Sequence, residues 1–150
     1  MIAPNRSDVL AVLGAAILSF ALGAMALGIP PESSTAAVHD YKSLVAQLKQ
    51  SGLRVERVGG LQQSFFTPKA RVIRINPPGE AQVYEYADGG KAASEAARVN
   101  ADGSIGSSMP MWVAPPHFFR RDRLIVLYLG SDQRVLNVLG RLLGPQFAGR

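Results

Sequence analysis

The 150-residue chain contains no cysteine. That absence excludes disulfides, thiolate zinc sites and iron–sulfur clusters, and it excludes attachment of a lipid to an N-terminal cysteine. The fold must therefore rest on its apolar core. Histidine is nearly missing too, since His39 and His117 are the only two. No HExxH pattern, acidic calcium loop or carboxylate cluster accompanies either, so neither a metal site nor a cofactor is expected. Charged residues make up 18% of the chain and hydrophobic ones 47%, which is the balance of one ordinary globular domain with an appendage and not of a disordered chain. No internal repeat or low-complexity tract is present. Among the 16 cations 12 are arginine, and the net charge of +5 suits an anionic partner as well as simple solubility.

One segment lacks charge altogether. Residues 9–29, VLAVLGAAILSFALGAMALGI, would form a helix about 30 Å long, the thickness of a bilayer's hydrocarbon core. The rival reading is a cleaved signal peptide, for which Ala24-Met25-Ala26 supplies the small-x-small pattern. Arg6 precedes the stretch, while Glu32 and Asp40 follow it before any further Lys or Arg, so the positive-inside rule places the N-terminus in the cytoplasm. The expected organisation is a cytoplasmic N-terminus (1–8), a transmembrane anchor or signal segment (9–29), a linker (30–39) and an extracytoplasmic globular domain (40–150). The domain would stay on the cell membrane as a single-pass protein, or become secreted or periplasmic if the segment is cut.

Beyond the linker, Tyr41, Leu44, Val45 and Leu48 recur at helical spacing, with Asp40 to cap the start and Gly52 to end it. Residues 53–58 (LRVERV) alternate as a half-exposed strand does. Residues 71–76 and 81–86 read as two strands joined by a turn at Pro77-Pro78-Gly79-Glu80. An alanine-rich helix is expected over about 90–99, short strands at 111–114 and 124–129, and a helix over about 132–143 stopped by Gly144-Pro145. LIVLYL, residues 124–129, is apolar on both faces and should be a central, covered strand. Together these elements predict an α+β fold, a two-layer sandwich of a mainly antiparallel sheet of about five strands with three helices.

The stretches FFTPKARVIRIN, VYEYAD, WVAPPHFFRRDRLIVLYLG and LLGPQFAG resemble a group of small exported or lipoprotein-type bacterial domains with no assigned activity, over most of residues 40–150. The resemblance implies location and fold class and no catalytic residue. Members of such groups often carry a lipid-attachment cysteine, which this chain lacks, so anchoring would fall to residues 9–29.

His117, in WVAPPHFFRRDR, is the sharpest enzymatic candidate. A histidine base needs a nucleophile within hydrogen-bond reach and a group to orient it, and no sequence spacing links Asp122, Glu85 or Ser104 to it. The plainer reading makes Pro115-Pro116 a break in strand pairing and His117 part of the return towards LIVLYL. GSIGSS, residues 103–108, lacks the Lys-Ser/Thr ending of a phosphate loop, and Ile105 stands where GxSxG needs its serine. Arg120, Arg121 and Arg123 beside His117 and Trp112 form the best candidate ligand surface, suited to anionic lipid or an acidic protein, with nucleic acid disfavoured outside the membrane. The sequence thus points to a tethered or secreted binding domain with no catalytic residue. The alternatives are a small hydrolase or transferase using His117 and the arginine cluster, and a cytoplasmic nucleic-acid-binding domain. A continuous arginine face across Arg71, Arg74 and residues 120–123 would favour a polyanion binder.

Overall fold

The computed structural model describes residues 37–108 and 110–150. The N-terminal residues 1–8, the expected anchor or signal segment 9–29, and residues 30–36 of the linker lie outside the described residues. Helix α1 (Tyr41–Gln50) starts on a capping box in which Asp40 accepts from the Ser43 backbone N–H while the Ser43 hydroxyl receives the Asp40 N–H. Its Tyr41, Leu44 and Leu48 are buried, as the helical spacing predicts.

Strands β1 (Val55–Leu61), β2 (Ala70–Ile75) and β3 (Glu80–Glu85) follow. Helix α2 (Gly89–Ala96) is capped by Asp88. Strands β4 (Pro116–Arg121) and β5 (Leu124–Leu129) form a hairpin, helix α3 (Gln133–Leu143) is capped by Asp132, and a short β6 (Ala148–Gly149) closes the order. The six strands form one antiparallel sheet in the order β1-β2-β3-β5-β4-β6. The class is α+β.

Strand alternation divides the core in two. Ile73, Ile75, Val83, Phe119, Leu124, Val126 and Tyr128 face α1 and α3, where they pack on Leu44, Leu48, Val135 and Leu139. The alternate positions, Ala70, Tyr84, Phe118, Ile125 and Leu127, face the other way onto Ala92 and Ala96 of α2 with Phe66 and Ile105. The sheet is therefore covered on both faces, and the fold has three layers where two were expected. The alanines of α2 let that helix lie close to the sheet.

Other boundaries move as well. The strand expected at 111–114 is absent, and the residues that pair are 116–121. Pro116 can open β4 because a first strand residue need not donate to the ladder, and its carbonyl accepts from the Arg150 N–H at 2.9 Å. His117 consequently lies inside a strand and not in a turn. Strand β1 runs past Val58 to Leu61 because a bulge between Arg57 and Gly59 resets its register on β2. Gly59, at φ +156°, takes a backbone conformation that other residues rarely adopt. Helix α2 ends at Ala96, three residues early, and β6 gives a sixth strand.

Candidate functional site

The five residues singled out in the sequence do not converge. His117 pairs with Tyr128 across the β4–β5 hairpin on the α3 face, with its ring stacked 6.2 Å from the Tyr128 ring. It is 6% exposed. Its Nδ1 lies 2.8 Å from Gln146 Oε1, the geometry of an N–H donating to an amide oxygen. Among the described residues no carboxylate or hydroxyl bonds to this ring, so the arrangement that activates a nucleophile is missing. Trp112 sits on the opposite face of the sheet, edge-on to Phe65 and Phe118 and donating from Nε1 to the Gly103 carbonyl at 3.3 Å. Arg120 and Arg121 are exposed at the far end of β4 and, as strand neighbours, project to opposite faces.

Arg123 alone enters a polar cluster. Its guanidinium donates to Glu85 Oε1 at 2.7 Å, and Arg71 donates to Glu85 Oε2 at the same distance. Arg71 and Arg74 stand three apart in β2 and hence on opposite faces, so the continuous arginine surface considered from the sequence does not form. On the far face of the sheet, Glu95 of α2 accepts from the Thr67 N–H, the Thr67 hydroxyl and the Tyr86 hydroxyl, tying residues 62–69 to the helix. Burial by itself would raise the Glu95 pKa, but the Thr67 hydrogen bonds outweigh it and hold the carboxyl below its ordinary value. That cluster is satisfied within itself.

What sequence reasoning missed is the basic groove beside α1. Arg71 lies over the Tyr41 ring, its guanidinium carbon 4.6 Å from the centroid, and Arg57 of β1 approaches the same ring at 5.6 Å. Both distances are within cation–π range. These three side chains border two adjoining openings. One, about 540 Å³, is also lined by Asp40, Lys42, Val45, Lys49 and Glu85. The other, about 470 Å³, is bounded by Gly59, Gly60, Lys69 and Ala70.

The carboxylates of the groove are already engaged. Asp40 is held ionised below the usual carboxylate range first by the Ser43 backbone N–H and then by the Ser43 hydroxyl. Glu85 is shared between Arg71 and Arg123. Among the described residues Arg57, Lys42, Lys49 and Lys69 have no ion-pair partner. The chain has four lysines, Lys42, Lys49, Lys69 and Lys91, and the first three line this groove. The only trace in the sequence was the alternation of LRVERV, which puts Arg57 beside apolar neighbours, but its meeting with Tyr41 depends on the pairing of β1 with β2 and the docking of α1.

No group of three or more His, Asp or Glu side chains able to hold a metal ion occurs among the described residues. In comparisons with known proteins, no family model matches the chain, and neither a curated protein nor a solved structure matches it.

Proposed function

We propose that this chain is a membrane-tethered extracytoplasmic domain that acts by binding an anionic partner and not by catalysis. The observation that carries the binding half is the groove at Tyr41, Arg57 and Arg71, where three of the four lysines gather and both carboxylates are already committed. Five cations, Arg57, Arg71, Lys42, Lys49 and Lys69, line the groove against two carboxylates, Asp40 and Glu85, so a net positive charge is left to attract an anion. The tether rests on residues 9–29 and their flanking charges, with release into the periplasm or medium as the variant outcome if that segment is a cleaved signal.

A hydrolase or transferase reading would need His117 as a base. Its ring is buried, stacked and bonded to an amide, so its role here is to tie β4 to the segment after α3. His117→Asn should therefore leave anion binding unchanged, because asparagine keeps a hydrogen-bonding group but cannot serve as the same general base. Loss of the stacked ring should lower stability by about 1 to 2 kcal/mol, read by thermal unfolding. A well-folded His117→Asn protein with binding abolished would return His117 to the site. Export is checked by fusing after Arg150 a reporter enzyme that folds only outside the cytoplasm. The fusion should be active; an inactive fusion made in normal amount would remove the tether from the account.

A further inference from the structure

We infer that the groove at Tyr41, Arg57 and Arg71 takes the headgroup of an anionic phospholipid, whose phosphate is not offset by a choline or ethanolamine cation, so that the domain lies against the membrane that anchors it. This rests on the tethered reading and names the ligand of the same site. Three observations carry it. The first is the excess of charge: Lys42, Lys49, Lys69 and Arg57 surround the two openings with no carboxylate partner among the described residues. Guanidinium and ammonium groups in that number match a phosphate better than a single carboxylate.

The second is that the groove is shaped around its cations. Lys69 lies across Gly60, its Cε 2.8 Å from where a Cβ would stand, a contact that the mobile end of the lysine could shift to relieve. The Arg57–Gly59 bulge turns β1 at the same place, and the pair of arginines is backed by the Tyr41 ring. Strand β1 is the sheet edge at this point and leaves the groove open to a surface.

The third is position along the chain. Val38 already belongs to the core, and Asp40 and Tyr41 just after it form one wall of the groove. Only the eight residues 30–37 separate Val38 from the apolar segment 9–29, a reach of at most about 28 Å when fully extended. A bilayer held that close presents headgroups at a high effective concentration, which a free acidic protein does not have. Each basic side chain near an anionic surface adds to the attraction, and the sum decays with salt over a Debye length of about 10 Å at 0.1 M.

The test uses the full chain in lipid nanodiscs, one set purely zwitterionic and one containing anionic phospholipid, with lysine acylation read by mass spectrometry. Lys42, Lys49 and Lys69 should be acylated roughly fivefold more slowly in the anionic discs, while Lys91 of α2 should react equally in both. Arg57→Gln with Lys69→Gln removes two cations that have no hydrogen-bond or ion-pair partner among the described side chains, and should abolish the protection of Lys42 and Lys49. Arg74→Gln, on the opposite face of β2, should not. Raising the salt to about 0.5 M should erase the difference. Equal acylation in both discs, with the chain still co-eluting with them, would overturn the headgroup proposal and leave the tether standing. Equal protection in zwitterionic discs on adding millimolar inorganic phosphate would overturn it in favour of a soluble phosphate ligand. A chain that does not co-elute with either disc would overturn the tether, and this proposal with it.

Discussion

Val126→Asp is expected to unfold the domain. Val126 is 1% exposed at the centre of β5, paired with Val83 on one side and Phe119 on the other, beneath α1 and α3. A carboxylate there has no cationic partner, and burying it costs several kcal/mol, comparable with the roughly 5 to 15 kcal/mol that holds a domain together. Residues 38–150, made without the apolar segment, should unfold cooperatively as a monomer and without metal. In that background the variant should show no cooperative transition at 25 °C. A Val126→Asp fragment that melts within a few degrees of the parent would mean that β5 is not the centre of the sheet.

The second large effect tests the opposite face. Phe118 is fully buried against Trp112 and Phe147, beneath the layer made by α2 and its flanking segments. Phe118→Ala should lower stability by about 3 to 5 kcal/mol through lost transfer energy and a residual cavity. For a domain of this size that is a fall in Tm of roughly 15 °C or more. In a two-layer sandwich this face of β4 would meet solvent and the same substitution would cost less than about 1 kcal/mol. The size of the fall therefore distinguishes three layers from two.

The need for cover on both faces was legible in LIVLYL, although only two layers were expected. Six consecutive apolar residues in a strand require cover on both faces, a requirement that a two-layer sandwich cannot meet. The local elements were readable for the same reason that the layer count was not. The cap at Asp40, the turn at Pro77-Pro78-Gly79 and the stop at Gly144 are properties of a few adjacent residues. The layer count depends on where α2 docks, which its alanines permit but do not dictate. The strand placed at 111–114 failed because Pro115-Pro116 reads locally as a break, whereas pairing of HFFRR with LIVLYL is decided by the hairpin register.

The groove shows the same division. Tyr41 was legible as an inward helix position, whereas a continuous face across Arg71 and Arg74 was considered although their odd spacing in β2 puts them on opposite sides. The approach of Arg57 and Arg71 to one tyrosine ring joins three consecutive elements through the packing of α1 on the paired β1 and β2, which no short motif announces. Arginine count drew attention to residues 120–123, yet Arg120 and Arg121 project to opposite faces while the lysines at 42, 49 and 69 gather around one groove.

The central claim is that the domain faces outward from a membrane, and the chain's lack of cysteine makes it directly measurable. Ser107→Cys places one thiol at an exposed position, remote in sequence from the groove residues. Intact cells expressing the full chain are treated with a small charged maleimide that does not cross the cytoplasmic membrane, and labelling is compared before and after permeabilisation. The account predicts full labelling in intact cells, with the labelled chain remaining in the membrane fraction. Labelling that occurs only after permeabilisation would place the domain in the cytoplasm and contradict it.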